Sequence, residues 1–491
     1  MAGGMRKLAK ETAVYGLSSI IGRFLNWLLV PMYTRVLVGT EEFGIYTNLY
    51  AWVALLLIIL TYGMETGFFR FINKKEEKEP MRVYATTLFS VGGTSLLFLL
   101  LASCFIHPLS GLLNYAGHPE YLAMMLGVVA IDAFCCIPFV YIRYKSRPFR
   151  FMSVKLLSIF LNITLNIFFL IVCPRLHADG MIDGFYHPDY KVGYIFIANV
   201  ITSVVTLLVL IPDLLPAFRY KPDIALLKRM LRYSFPILIL GIAGILNQTA
   251  DKILFPYLFA DKVYANAQLG IYGACFKIAA VMVMFIQAFR YAYEPFVFAR
   301  NKDGAGDKKA YVEAMKYFII FALFIFLGVI FYLDLVKYFV APPYYPGLSV
   351  VPIVMLGELF FGIYFNLSIW YKLSDQTKWG AYFSIAGCVV TVGIIIVFAP
   401  VYGFIACAWA SLICNFFMML VSYIVGQKKF PVSYDLKSAF IYFALAIILY
   451  SAGMIPAIQS GVLRLYYRTL LLIVFLIFIV IRDFPHKRRK R

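Results

Sequence analysis

Phe43-Gly44-Ile45-Tyr46 opens a stretch that runs to Met64 without a charged side chain, and in the second half of the chain Leu269-Gly270-Ile271-Tyr272 opens another apolar stretch. Runs of about 20 apolar residues can cross the roughly 30 Å hydrocarbon core of a bilayer as helices that satisfy their own backbone hydrogen bonds. Reading outward from these two, the 491 residues divide into fourteen such spans, at approximately 12–38, 43–70, 82–106, 119–142, 151–173, 192–217, 233–258, 268–298, 311–333, 349–372, 378–399, 402–426, 438–456 and 464–482. The composition agrees: 62% of residues are hydrophobic, 14% are charged and the mean hydropathy is +0.82, so most of the surface must face lipid rather than water. The longest loop between spans, Pro174 to Lys191, is too short to be a soluble domain.

The two opening stretches belong to a longer repeat. Asn26-Trp27-Leu28-Leu29-Val30-Pro31 in the first span is matched by Asp251-Lys252-Ile253-Leu254-Phe255-Pro256 in the seventh, and Thr164 in the fifth by Thr391 in the eleventh, at nearly the same offset as Gly44 and Gly270. Val192-Gly193-Tyr194-Ile195 and Tyr402-Gly403-Phe404-Ile405 stand closer together than the other pairs, a shift that an insertion between Pro174 and Lys191 in the first half produces. Six helices per unit is an even number, so both halves enter the membrane from the same side, as parallel repeats. The expected fold is an all-α polytopic membrane protein of about fourteen transmembrane helices: two parallel six-helix bundles (1–220 and 221–430) followed by two extra helices and a basic tail (431–491).

The formal charge of +20 is distributed as a topology signal. With the N-terminus in the cytoplasm, 35 of the 45 Lys and Arg fall in cytoplasmic segments, 7 in outward segments and 3 inside spans, Arg23, Lys252 and Lys277. That asymmetry follows the positive-inside rule and excludes nucleic acid as the reason for the charge. The first span ends without a small-residue cleavage site, so it is expected to stay as a helix. The eight cysteines lie in or at the edges of spans, without the spaced pairs of a disulfide framework. His177, Asp179, Asp183, His187 and Asp189 lack metal-ligand spacing and read as a solvated loop; no metal is expected.

Polar groups inside the spans are the candidate site, because each costs about 2.5–3.5 kcal/mol at the bilayer centre unless it meets a partner or a watery cavity. Gly16, Ser19, Arg23, Asn26 and Val30 follow one another at steps of 3 or 4 in the first span, and Gly241, Gly244, Gln248 and Asp251 repeat the stripe in the seventh, followed by Lys252. The eighth carries Lys277 and later Gln287, Arg290 and Glu294. Carboxylates stand at Glu65, Asp132, Asp251 and Glu358. These stripes point most simply to a cavity between the bundles; the structural alternative pairs the charges within the protein, Arg23 with Glu65 and Asp251 with Lys277. Asp132 has no cation one helical turn away, so it is expected to serve as a proton site, or to meet Na⁺ or a cation from another helix. Prolines 31, 236, 256, 295 and 352 interrupt spans. The 46 Phe and 36 Tyr are mainly lipid-facing and interfacial, with sugar stacking open to a few.

Ser18-Ser19-Ile20-Ile21-Gly22-Arg23, the Tyr33-Thr34-Arg35 to Phe43-Gly44-Ile45-Tyr46 crossing, Tyr62-Gly63-Met64-Glu65-Thr66-Gly67-Phe68-Phe69-Arg70, the Asp251-Lys252 pair and Phe289-Arg290-Tyr291-Ala292-Tyr293-Glu294-Pro295-Phe296 occur in order over the whole chain. In these stretches and in its 6 + 6 + 2 plan the chain resembles the multidrug/oligosaccharidyl-lipid/polysaccharide (MOP) exporter superfamily, and within it the polysaccharide transporter branch of Wzx-type O-antigen and capsule flippases. The resemblance implies a non-enzymatic flippase. It would carry an undecaprenyl-pyrophosphate-linked oligosaccharide from the cytoplasmic to the periplasmic leaflet of a bacterial inner membrane by alternating access. Arg23, Asp251 and Lys252 match charged positions of the family; roles for Glu65, Asp132 and Lys277 come from the residues alone. Substrate contacts are expected at Arg23, Asn26, Lys252, Lys277 and Arg290, with Glu65, Asp132, Asp251 and Glu358 as coupling or cavity carboxylates. No cofactor is expected, only coupling to an H⁺ or Na⁺ gradient or to the membrane potential. Membrane lipids and polysaccharide polymerase or ligase machinery are the expected partners. A lipid II flippase or a multidrug exporter shares the fold, whereas a membrane enzyme would need a catalytic base and a large outward loop.

Overall fold

The computed structural model of the chain describes residues 20–37, 39–73, 79–182, 184, 186–300, 308–374, 376–454 and 460–483, with the side chains of 292 and 294–300 outside the description. Gly16, Ser19, Asp183 and the basic tail from 484 therefore lie outside the described residues, as do the side chains of Glu294 and Pro295. Within them no strand occurs, and thirteen helices are long and apolar enough to cross a membrane. We number the spans α1 to α14. α1 is helical over 20–27 and again over Val30–Val36. The others are α2 Thr40–Ile72, α3 Pro80–Cys104, α4 Pro119–Tyr144, α5 Pro148–Ala178, α6 Lys191–Arg219, α7 Ile224–Leu258 and α8 Lys262–Tyr291. After them come α9 Lys308–Phe331, α10 Pro342–Leu373, α11 Lys378–Tyr402, α12 Phe404–Lys429, α13 Leu436–Gly453 and α14 Gly461–Asp483. Each of the thirteen overlaps one of the expected spans.

The helix ends follow local chemistry. Proline stands in the first turn of α3, α4, α5 and α10, where its missing N–H is not needed and its fixed φ suits the helix. Asp223 caps α7: its Oδ1 accepts from the amides of Ala225 (2.8 Å) and Leu226 (3.1 Å). Asp435 caps α13 through the Ser438 amide at 3.0 Å.

One interruption matters for function. In α2 the chain turns left-handed at Tyr62 (φ 32°) and Gly63 (φ 71°) and restarts as a helix at Met64. The Gly63 carbonyl accepts the Gly67 amide of the restarted helix at 3.1 Å and the Ser234 hydroxyl at 3.3 Å, and the Tyr62 hydroxyl lies 2.7 Å from the Ser90 hydroxyl. The break re-aims the next residue but one, Glu65. Below it the segment is fixed by a packed cluster in which Met64, Phe68, Val83, Tyr84, Ile137 and Met230 are all fully buried. Tyr84 stacks on Tyr141 at 4.1 Å, and its hydroxyl donates to the Asp213 carbonyl at 2.8 Å.

The chain divides into two compact units, Met1–Gly273 with Ile395–Phe404, and Ala274–Ile394 with Ile405–Arg491. In the first, the Tyr84 cluster sits at one end of α2, α3, α4 and α7. In the second, Tyr364, Trp370, Tyr371, Phe383, Cys414 and Met418 form a core between α10, α11 and α12. The last two helices are bolted to α9 in that unit. Arg468 of α14, 8% exposed, donates to Asp334 Oδ2 (2.9 Å), the Phe331 carbonyl (3.3 Å) and the Gly453 carbonyl (3.1 Å). Near the other end of α14, Asp483 meets Lys316 and the Tyr442 hydroxyl.

Candidate functional site

A cavity of about 470 Å³ lies inside the first unit, walled by α1, α2, α4, α5 and α6. Its lining is polar to an extent that the hydrocarbon environment makes expensive. α1 supplies Asn26 and Tyr33; α2 supplies Tyr46, Tyr50, Thr61 and, beyond the break, Glu65; α4 supplies Asp132, Cys135 and Cys136. Lys155, Ser158 and Asn162 come from α5, and Asn199, Thr202, Ser203 and Thr206 from α6. The positions on α5 and α6 recur at steps of 3 or 4, so each helix turns one polar stripe inward.

Among the described lining residues, Glu65, Asp132 and Lys155 carry charge. The Ser203 hydroxyl donates to Asp132 Oδ1 at 2.8 Å. Cys136 and Arg143 of α4 act electrostatically on the Glu65 carboxylate. Lys155 interacts electrostatically with both carboxylates, and its ammonium rests over the Phe139 ring, 4.0 Å from the centroid. The opposite wall is aromatic and amide. Tyr46 lies 5.5 Å from Tyr33 and 4.5 Å from Tyr50, ring to ring. The Asn199 amide donates to the Tyr50 hydroxyl at 2.6 Å, and Asn162 donates to Asn199 Oδ1 at 3.3 Å. Asn166, fully buried one turn further along α5, donates to the Asn162 carbonyl at 2.8 Å. Just beyond it α5 carries a π-helical turn, Phe168–Val172, of the kind often found near functional positions.

Three of the nine expected site residues line this cavity: Asn26, Glu65 and Asp132. Arg23 stands on the same α1 helix one turn before Asn26, with an exposed side chain. Asp251 and Lys252 belong to the first unit but form their own pair, with Nζ 3.0 Å from Oδ2. Asp251 is 6% exposed and also accepts from the Tyr272 hydroxyl at 2.6 Å, while Lys252 Nζ donates to the Gln248 carbonyl at 3.2 Å. The ion partner of Asp251 is thus its sequence neighbour, where the structural alternative paired it with Lys277; the cations that act electrostatically on Glu65 are Arg143 and Lys155, where that alternative named Arg23. Lys277 and Glu358 are half-buried in the second unit. Arg290, exposed in that unit, places its guanidinium 4.8 Å from the centre of Phe365, and Lys372 approaches the same ring at 4.5 Å.

Lys155 falls within the expected fifth span, 151–173, yet is not among the three cations counted inside spans; it stands in the wall of the cavity. A signal was available, since Lys155, Ser158, Asn162 and Asn166 follow at steps of 3 or 4. It was masked by Arg143, Lys145, Arg147 and Arg150, the topogenic run just before.

The profile of a family described as polysaccharide biosynthesis protein matches residues 8–299. The chain belongs to that family. A second profile, MatE, matches residues 257–399, and with it the chain is a member of the MOP exporter superfamily. Among solved structures it is similar to "Lipid II flippase MurJ, inward closed conformation", at 14% identity and TM-score 0.73, covering 97% of this chain and 99% of that one. It is also similar to an inward-facing multidrug resistance MATE family transporter (15% identity, TM-score 0.64, 82% and 93% covered) and to the MATE multidrug transporter DinF-BH in complex with R6G (16%, 0.62, 86% and 96%). At these identities the structures establish a shared fold, a multi-pass bundle of membrane-crossing helices. A comparison with curated protein sequences finds no significant match.

Proposed function

We propose that the chain flips a lipid-linked oligosaccharide, built on undecaprenyl pyrophosphate, from the cytoplasmic to the periplasmic leaflet of a bacterial inner membrane, with both termini cytoplasmic. It is then a Wzx-type member of its family that serves lipopolysaccharide O-antigen, capsule or exopolysaccharide synthesis and delivers to a polymerase or ligase. The observation that carries this reading is the tyrosine and amide wall of the cavity. Tyr33, Tyr46 and Tyr50 offer ring faces, and Asn26, Asn162 and Asn199 offer paired donors and acceptors, in a volume of the size that holds a small polar headgroup. Hydroxyl-rich sugars need that combination, and hydrocarbon supplies none of it.

The pyrophosphate needs cations and the lipid tail needs none. Arg23 on α1, one turn before the cavity-lining Asn26, is the cation that we assign to it, its guanidinium offering a planar fork to phosphate oxygens. Lys252 is engaged by Asp251 and contributes less. Outward movement of about two negative charges through an inside-negative potential is favourable by about 2.3 kcal/mol per charge per 100 mV, so the potential assists export.

A lipid II flippase is the second reading. The flippase structure is matched over 97% of this chain, whereas the two transporter structures cover 82% and 86%. Depletion in the native host followed by extraction of lipid-linked saccharides separates the two readings. An undecaprenyl-pyrophosphate oligosaccharide is expected to accumulate in the cytoplasmic leaflet; accumulation of lipid II, or of no lipid-linked saccharide, overturns the proposal.

A further inference from the structure

We propose that the second unit holds one acyl chain of an anionic phospholipid in an apolar pocket between α9, α10, α12 and α13, with the lipid phosphate at the basic helix ends beside the mouth. The pocket belongs to the other unit from the polar cavity, and the inference does not rest on the flippase reading.

The pocket has a volume of about 320 Å³. α9 lines it with Met315 and Ile319, α10 with Phe360 and Ile363, α12 with Met419 and α13 with Phe443. Phe360 stacks on Phe443 at 5.9 Å, so one ring contact sets the spacing of two walls. Walls of this kind give water or a sugar no hydrogen bond, and what they accept is hydrocarbon. The two methionines suit a chain without fixed shape, because a flexible thioether repacks at little cost. The mouth opens toward the bilayer: Leu420 of α12 and Leu436 at the start of α13 line the pocket and are themselves 42% and 54% exposed. Phe443 stands two turns inward from Leu436, about 10 Å along the helix axis, against about 15 Å for half of the hydrocarbon core. That depth takes a length of one acyl chain whose glycerol stays at the interface, and it is too short to enclose a chain as long as undecaprenyl.

Charge selects the headgroup. The helix ends around the mouth carry Lys308, Lys309, Lys316, Lys428, Lys429, Lys437 and Arg482 against Glu313, Asp435 and Asp483. The carboxylates at the mouth are already engaged: Asp483 takes Lys316, and Asp435 accepts the Ser438 amide at 3.0 Å with Lys316 and Arg482 in electrostatic reach. Lys308 donates to the Pro431 carbonyl at 2.8 Å, and Arg482 to the Ser438 hydroxyl at 2.9 Å. Lys428, Lys429 and Lys437 are exposed where α12 ends and α13 begins, so the positive surplus stands at headgroup level. A zwitterionic lipid gains the burial of its chain there, whereas an anionic one gains the burial and the surplus together. The seated chain touches four helices and fastens the start of α13 to the body of the unit, as Arg468 fastens its end through the Gly453 and Phe331 carbonyls.

The full-length protein is reconstituted into phosphatidylcholine vesicles that contain a trace of phosphatidylglycerol with a photoactivatable diazirine in one acyl chain, or of phosphatidylcholine with the same group. Labelled peptides are mapped by mass spectrometry after illumination. Phosphatidylglycerol should label the α9, α10 and α13 peptides of the pocket about fivefold more than phosphatidylcholine does, and added salt should weaken the preference. Lys428→Gln with Lys437→Gln, which leaves the walls untouched, should remove the preference and keep the labelling. Ala439→Phe, which fills the pocket from α13, should abolish labelling there by both lipids, while Leu96 and Leu97 of α3, exposed on a helix outside the pocket, stay labelled. Ala439→Leu serves the same purpose with less bulk, and the comparison of the two lipids on the wild type needs no variant at all. Equal labelling of the wild-type pocket by the two lipids, or labelling no stronger than at Leu96 and Leu97, overturns the proposal. Displacement of the label by undecaprenyl phosphate but not by unlabelled phosphatidylglycerol makes the occupant a polyprenyl chain and overturns it as well.

Discussion

Gly44 packs against the backbone carbonyl of Asn266, at a position where a Cβ would overlap the oxygen. The contact is reciprocal, since Gly270 packs in the same way against the carbonyl of Thr40. Both glycines are the second residue of the repeated Phe43-Gly44-Ile45-Tyr46 and Leu269-Gly270-Ile271-Tyr272 motifs, and Thr40 and Asn266 are separated by the same interval as the glycines. The repeat read from the sequence is therefore also a packing device, with each copy holding the other.

Because the obstacle at each glycine is backbone, no side-chain rotation relieves it. Gly44→Ala and Gly270→Ala should each destabilise by about 1–3 kcal/mol, the usual cost of overpacking. Gly93→Ala, at a helical position with open space around it, should be close to neutral. Thermal unfolding of the purified variants measures the difference; equal melting temperatures for all three would contradict the packing described.

Arg468 joins α14 to α9 and α13 through three acceptors at once. Arg468→Met should cost about 1.5–3 kcal/mol, as expected for a charge-assisted hydrogen bond removed from a mostly buried site. Arg468→Lys should recover little of it, because a point charge cannot reach three acceptors in different directions. Limited proteolysis between α13 and α14, with melting temperature alongside, reads the effect.

Asp223 lies just outside the membrane-spanning part of α7. Its carboxyl is held below the usual carboxylate range, first by the Leu226 amide and then by the Ala225 amide and by Arg82 and Arg229. For a depressed acid the stabilisation is fully present above the unfolded pKa near 3.9 and is lost as the pH falls through the lower folded value. The α7 start should thus fray only in acid, and Asp223→Ala should produce the same fraying at neutral pH at a cost of about 1 kcal/mol. Hydrogen exchange at Ala225 and Leu226 between pH 3 and 6 checks both statements.

Asp132→Asn imitates the protonated acid. If a proton is the coupling ion, the variant should fold and bind cargo while its transport loses dependence on the pH gradient. Normal transport with an intact gradient response in proteoliposomes would remove Asp132 from coupling and leave Glu65 or the potential.

The orientation is checked by single cysteines in a background without the eight native ones. Positions Asn114 and Ala260 should react with an impermeant maleimide in intact cells and Lys309 should not, as the 35 to 7 charge asymmetry requires. The reverse pattern would invert the protein.

The spans were legible in the sequence because crossing hydrocarbon is a demand on each segment by itself: enough apolar residues in a row, with every backbone group satisfied within the helix. α2 to α14 appear where the hydropathy places them, and Asn26, Glu65 and Asp132 were already conspicuous as polar groups that lipid does not tolerate. Which charge meets which was not legible, because pairing is a property of two helices at once. Asp251 takes its neighbour Lys252, which only the burial of that stretch of α7 against Tyr272 decides. Glu65 and Asp132 share a cavity with Lys155 because a two-residue left-handed break in α2 turns one carboxylate into the space that α4 and α5 already line. Sequence determined that polar residues stand inside the membrane; only the packing of α2, α4 and α5 decided that three of them form one site, since a buried charge is settled by the partner that folding brings to it.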